Sequence, residues 1–312
     1  MMSYLRNPVL RNELKIRMRG WRAVLAISIY IGILLFIAYI YFSATITGRD
    51  TMMGYGGNNP QMGVNGYMLL AIFQFFLIVF ITPAQTSGAI SGERERQTLD
   101  LLLCTKMRPL SIVLGKLVSS ISFIVLMIIA SIPLFSLIFL FGGISPGDLA
   151  MLFVFYLVTA IGAGSIGIFC STLFKKTTVS TVVAYILVFL IGILTLMLGA
   201  YQLSMAAMKN PQTFQPFFPK ILYLNPFIGL LFLLAEQGSA AYFIDGILGI
   251  GGLSRTFGSG GSGLSPWMVN CILVLTISII LLLISAVNIN PVRKPFRFKR
   301  RSSSRVEGES SR

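Results

Sequence analysis

The sequence predicts an all-α integral membrane protein that crosses the bilayer six times. Three observations predict it. Hydrophobic residues make up 55% of the 312-residue chain and charged ones 11%, whereas soluble domains are about a quarter charged. Six stretches stay apolar for the roughly 20 residues that a helix rising about 1.5 Å per residue needs to cross hydrocarbon. Lys and Arg, 25 against 10 Asp and Glu, gather on one side once those stretches are threaded through a membrane.

The chain opens on a cytoplasmic amphipathic helix over 1–22. Asn7 is a cap and Pro8 suits the first turn. Leu10, Leu14, Met18 and Trp21 then follow at helical spacing, with Arg11, Lys15, Arg19 and Arg22 one residue further on. An apolar stripe bordered by a basic one makes an interfacial helix that lies flat on the membrane, whether as an anchor alone or also against a cytoplasmic partner. Gly20 offers the turn into the first span.

A single membrane domain, 23–292, holds spans at 23–42, 67–89, 117–141, 149–171, 178–200 and 269–289. The first exceeds the about 7 to 15 apolar residues of a signal peptide and is expected to be retained. Pro83 and Pro133 are expected to kink the second and third spans. A seventh apolar run, Ile221–Ala235, carries Asn225 and Pro226 and is short for a span. It is expected as a re-entrant or interfacial helix of the last outer loop, 201–268. In that loop Phe214, Phe217, Phe218, Tyr223 and Phe227 suit the headgroup level, as an aromatic belt or part of an outer gate. GSGGSG at 258–263 reads as flexible linker.

Charge fixes the orientation. With this threading 21 of the Lys and Arg residues fall on one side, leaving Arg49, Lys209, Lys220 and Arg255 on the other. Both termini are therefore expected in the cytoplasm. Residues 293–312 form a basic, disordered cytoplasmic tail suited to anionic lipid, without the motifs of nucleic-acid binding.

Several function classes are disfavoured. Histidine is absent, and Cys104, Cys170 and Cys271 are far apart, so neither a metal centre nor a disulfide framework is outlined. The predicted spans contain no Asp, Glu, Lys or Arg, unlike ion-coupled carriers, and no paired carboxylates for a membrane-embedded enzyme. No phosphate-binding loop of the GxxxxGK[ST] type occurs, so this chain is expected to hold no cofactor and any ATP must be bound by a separate polypeptide. Gln74, Ser122, Ser131, Thr159, Ser165 and Thr195 remain as polar groups in the spans. Ala160 with Gly164, and Ala163 with Gly167, make two small-xxx-small pairs that permit close helix contact.

The connection over 84–116 carries the most information. Gly92 interrupts one helix, and Glu93, Arg94, Glu95 and Arg96 cannot sit in lipid. Thr98 to Leu103 reads as a short helical segment with a leucine knob, and Pro109 suits the first turn of the third span. A leucine face outside the membrane needs cover from the bundle or from a partner.

These residues resemble the membrane subunit of an ABC-2 type exporter. The resemblance is sharpest at SGERERQTLDLLLCTKMRPLSIVLGKLV, residues 91–118. Glu93 and Glu95 are similar to the family's acidic pair, Thr98 and Leu99 to its Thr-Leu, and Leu101, Leu102 and Leu103 to its leucine run. Leu114, Gly115 and Lys116 resemble the start of its third span. Gln97 stands where the family usually has glycine, and Cys104 to Arg108 replaces a Thr-Pro-leading turn. NPVLRNELKIRMR, 7–19, looks like the N-terminal helix of bacterial members. The resemblance implies an export permease in a bacterial inner or plasma membrane, working as a homodimer or heterodimer on a separate ABC ATPase that binds ATP and Mg. It makes 91–108 the coupling region, with a coupling helix at 93–103 in which Glu93, Glu95, Thr98, Leu99, Leu102 and Leu103 meet the ATPase. The alternative is the membrane subunit of an ATPase-linked signalling or scaffold complex that transports nothing.

Overall fold

The computed structural model describes residues 20–50, 60–99, 109–138, 143–209, 219–237 and 265–289. Every regular element among them is helical: α1 (Trp21–Asp50), α2 (Pro60–Thr86), α3 (Ser91–Glu95), α4 (Pro109–Ala130), α5 (Ile132–Ile138), α6 (Pro146–Leu173), α7 (Thr177–Lys209), a 3-10 turn (Lys220–Leu224), α8 (Pro226–Glu236) and α9 (Pro266–Ile289). Six stretches are long and apolar enough to cross a membrane, with α4 and α5 together making the third. The protein is an all-α membrane protein of six spans.

The helices start where the local chemistry allows. Pro109, Pro146, Pro226 and Pro266 each open one, because proline has no N–H to lose in the first turn and its φ is already helical. Before α6, the Ser145 hydroxyl accepts from Asp148 N at 3.2 Å, and Ser145 N donates to the Asp148 carboxylate at 2.9 Å. This reciprocal box satisfies two N–H groups that would otherwise be orphaned, and it starts span four three residues before the apolar run predicts.

The two interior prolines behave differently. Pro83 stays within α2, where it removes an N–H and pushes on the preceding turn. The Tyr185 hydroxyl of α7 donates to Phe80 O at 2.8 Å, next to the Val79 carbonyl that Pro83 deprives of its helical donor. Near Pro133 the helix breaks at Ser131, separating α4 from α5. Ser131 N still bonds Met127 O and Ile128 O, each at 3.2 Å, so the break changes direction without leaving that amide unpaired.

Helix α6 is the hub, packing against α2, α4, α7, α8 and α9. Its small residues allow this. A Cβ at Gly162 would meet the Val274 side chain of α9 at 2.5 Å, and one at Gly167 would meet Thr86 Oγ1 of α2 at 2.0 Å. The predicted small-xxx-small pairs thus pack within the chain. Helices α1 and α7 lie outside this core, turning Leu25, Ile29, Phe36 and Ile40, and Ile186, Phe189, Ile193 and Met197, outward. Such large apolar side chains are stable against lipid tails and unstable against water.

The seventh apolar run is too short to span, as its length predicts, and it is not a belt at the bundle's edge. Ile228 and Leu230 to Leu234 of α8 are all buried, against α9, α6 and the 3-10 turn. Asn225 makes this burial possible. Its side chain accepts from Phe227 N at 2.9 Å as the helix cap, and it donates to Gly192 O and Thr195 Oγ1 of α7, both at 2.9 Å. From α9, Asn270 donates to Tyr223 O at 2.6 Å and to Asn225 O at 3.2 Å. Of the proposed belt residues, Tyr223 and Phe227 are half-buried, while Phe214, Phe217 and Phe218 lie outside the described residues.

Candidate functional site

The connection after α2 is folded against the ends of three spans. The helix does not break at Gly92. The chain leaves α2 through a turn at 87–90, and α3 begins at Ser91 with Gly92 inside it. Five residues cannot bury much, so hydrogen bonds hold α3 in place.

Ser171, near the end of α6, supplies the cap that α3 lacks. Its hydroxyl accepts from Ile90 N at 2.9 Å and from Ser91 N at 2.8 Å, satisfying two of the amides that every helix start leaves open. From α7, Ser180 donates to Ser87 O at 2.8 Å, and Thr181 and Ser87 share a hydrogen bond of 2.8 Å. Ser120 of α4 donates to Gln85 O at 3.3 Å. Ser87, Ser91, Ser171 and Ser180 are fully buried, so short neutral hydroxyls tie the helices together where charges would have to be desolvated.

The charged run is distributed among the surrounding helices. Glu93 pairs with Lys116 of α4. Arg94 donates to Thr172 O at 3.3 Å and Phe174 O at 3.4 Å, at the carbonyl end of α6. Glu95 accepts from Thr177 N at 2.8 Å and from the Thr177 hydroxyl at 2.9 Å, at the amide start of α7. A cation on a helix C-terminus and an anion on a helix N-terminus each face the favourable end of the helix dipole. The two Thr177 bonds hold the Glu95 carboxyl below its ordinary value of 4.5, because both favour the charged form.

The end of α3 is a left-handed cap. Gln97 N donates to Arg94 O at 3.2 Å and Thr98 N to Glu93 O at 2.9 Å, the double bond pattern of a Schellman motif. Its pivot is Gln97, at φ 58°, in the region where a side chain crowds the following carbonyl and only glycine fits freely. A short helix therefore lies at 91–95, ahead of the segment 98–103 that the sequence pattern makes helical; of that segment only Thr98 and Leu99 are described, and Leu99 is helical. Thr98 is in the cap and Leu99, which follows it, is buried, in a cluster with Ile90, Val113, Leu117 and Ile168.

The structure brings Glu93, Glu95, Thr98 and Leu99 into one assembly. Leu102 and Leu103 lie outside the described residues, as do Leu10, Leu14 and Met18 of the amphipathic helix. Trp21 is described: it opens α1 and is 80% exposed. The sequence reading missed most of the residues that hold α3. Lys116 was read there as part of the entry to the third span and given no partner; that span begins at Pro109, and Lys116 is a buried residue of it. Arg94, Ser171, Thr177, Ser180 and Thr181 received no role. The available signal was the cluster of hydroxyl residues at the facing ends of two adjacent spans, STLFKKTTVST, which an apolar lipid contact does not require.

Among the described residues no group of His, Cys, Asp and Glu could hold a metal ion. No curated protein matches the chain. The model of the family described as ABC-2 family transporter protein matches residues 7–302, nearly the whole length and including everything around α3. The chain belongs to the ABC-2 transporter family, as a membrane permease component that is not itself catalytic.

Proposed function

We propose that this chain is the export permease of an assembly of two permeases and two copies of a separate ATPase, with the ATPase seated on residues 91–108 at the cytoplasmic face. One observation carries the reading: α3 is fixed to the ends of α4, α6 and α7 as well as following α2 in the chain. An element held at that many points cannot move alone. A push on it reaches four spans together, through the Glu93–Lys116 pair, the Arg94 bonds to α6 and the Glu95 bonds to α7.

The direction and partners are part of the same proposal, which the arrangement of α3 and the family support. No phosphate-binding loop is present in the sequence, so ATP and Mg belong to the partner. Closure of the ATPase pair would move α3, tilt α2 and α4 as the chain connection requires, and carry the α6–α7 turn along with them. A route toward the outer loops then opens between the two permeases. The basic segments towards both ends of the chain support termini on the same side as the ATPase, in the cytoplasm.

The test is Leu102→Asp with Leu103→Asp, which puts two charges on the leucine knob expected to enter the ATPase. Membrane insertion is expected to persist and co-purification of the ATPase to be lost. Normal co-purification of the double variant sinks the assignment.

A further inference from the structure

Helix α8 reaches only part of the way through the membrane. Gln237, just past its end, donates to Asp148 O at 2.9 Å, at the start of α6 and the end of the bundle remote from α3. The 11 residues of α8 descend about 16 Å from there, roughly half of a hydrocarbon core about 30 Å thick. At the deep end Asn225 donates to Gly192 O of α7 at 2.9 Å, and the 3-10 turn beside it packs on both α7 and α9.

On the α3 side of that tip, α7 and α9 flank a recess of about 110 Å³. Gly162 and Ile166 of α6 form its floor, Val188 and Ile191 of α7 one wall, and Val274 and Ile277 of α9 the other. Leu224 and Pro226 close it on the α8 side. Two hydroxyls border the recess, and both have spent their protons on their own helices. Thr159 donates to Phe155 O at 3.0 Å, and Ser278 to Val274 O at 2.7 Å. Ile166, Val188, Ile191 and Val274 are half-buried, and Ile277 is exposed. The recess therefore opens sideways, continuous with the outward-facing Phe189 and Ile193 of α7 and Leu273 and Ile280 of α9, which meet lipid tails.

Walls with neither charge nor a free hydrogen-bond donor select hydrocarbon. An apolar cavity of about 150 Å³ stays dry and takes up a benzene ring, so a recess of this size receives the end of a chain and excludes a headgroup. The gain is close contact, since nothing is withdrawn from water at this depth. A chain end lying on Gly162 has protein atoms on three sides, whereas one on the flat outer face of a helix has them on one. Helix α8 occupies the gap between α7 and α9 in the remote leaflet, so access is from the leaflet on the α3 side.

We infer that this recess is a binding site for the end of one acyl chain of a membrane lipid from the leaflet on the α3 side. The lipid is held by the protein and does not exchange freely with its neighbours. Its chain fills the space between α6, α7 and α9 below Asn225, as α8 fills it above.

Photolabelling of the full-length protein tests this. The detergent-purified chain is incubated with a phosphatidylcholine carrying a diazirine at the end of one acyl chain. Detergent exchange then strips loosely held lipid, and the protein is irradiated and mapped by mass spectrometry. Ile33 and Phe36, exposed near the middle of the first span, report freely exchanging lipid. Labelling at Val188, Ile191 and Ile277 is expected to exceed that at Ile33 and Phe36 several-fold. Ile191→Trp, which fills the recess, is expected to abolish the excess, and Val188→Phe, a smaller addition, to reduce it. Equal labelling of the recess and α1 overturns the site, as does an excess that survives Ile191→Trp. Absence of label from the recess overturns it as well, and label on α1 alone is the pattern of a second copy of the chain closing the opening. The wild-type distribution decides the matter even where a filled variant fails to fold.

Discussion

Gly167→Ala adds one methyl group at the closest approach of α6 to α2. The new carbon would lie 2.0 Å from Thr86 Oγ1, 3.0 Å from Thr86 Cβ and 3.3 Å from Ser87 N, whereas carbon contacts are ordinarily about 3.5–4.0 Å. Thr86 has little freedom to yield, being fully buried with its hydroxyl bonded to Thr82 O at 2.9 Å. Either that bond breaks or the two helices part, and overpacking of this kind costs about 1–3 kcal/mol. Gly192→Ala is the matched control: it too is in a spanning helix, but nothing lies within 4 Å of its added carbon. There the better helix propensity of alanine contributes up to about 1 kcal/mol in favour. The same substitution at the two positions should therefore differ by roughly 1–4 kcal/mol, a gap of roughly 2–6 °C in Tm for a chain of this size. Thermal unfolding of the two detergent-purified variants measures it. Thr86→Ala in the Gly167→Ala background removes the 2.0 Å contact and should recover part of the loss. Equal Tm values for Gly167→Ala and Gly192→Ala would refute the argument that the glycine sets the α2–α6 distance.

The remaining predictions concern the surroundings of α3 and the cap of α8. Gln97→Gly relieves a left-handed conformation costing about 1–2 kcal/mol, partly offset by about 0.4–1 kcal/mol of added unfolded-state entropy. Slower amide exchange over 91–99 is expected, and faster exchange there contradicts the cap. Glu95→Gln should speed exchange at Thr177 near neutral pH. The wild-type carboxyl titrates below its ordinary value, so its contribution is complete above 4.5 and is lost only as pH falls through the lower folded-state value. The two proteins should therefore converge in acid, and a difference that persists there would assign the effect to something other than charge. Asn225→Leu removes a helix cap worth about 0.5–2 kcal/mol and two bonds to α7 averaging about 0.6 kcal/mol each in membranes. A Tm drop is expected, and an unchanged Tm would show that these bonds have replacements.

The spans were legible because lipid imposes a simple rule on sequence: uninterrupted apolar length. That rule says nothing about where a helix stops once it leaves the hydrocarbon. Pro109 was recognisable as the first turn of the third span from proline chemistry, while the polar content of Pro146 to Asp148 hid that span four begins before its apolar run. The short helix at 91–95 went unread for a related reason: the Schellman cap at Gln97 sets it apart from Thr98 to Leu103, where the leucines drew the reading, and a glutamine gives no sign of a left-handed turn. The acidic pair was found by its likeness to a family pattern, while its partners were not. Lys116 lies 23 residues from Glu93 and Thr177 lies 82 from Glu95, and no local periodicity links positions that far apart.

The central place of α6 has a consequence for how the protein is made. The hub is the fourth span to leave the ribosome, and until it arrives α2 and α4 have only α1 and each other to settle against. A nascent chain ending before Pro146 holds three spans, with the glycine-facing Thr82 and Thr86 of α2 not yet covered by α6, and an α3 deprived of Ser171 and Thr177. The last helix, α9, lies against α6 and closes the bundle only when synthesis is nearly complete. Assembly is therefore forced towards the end of translation, and the element that a partner would grip acquires its shape only after the following three spans have been inserted.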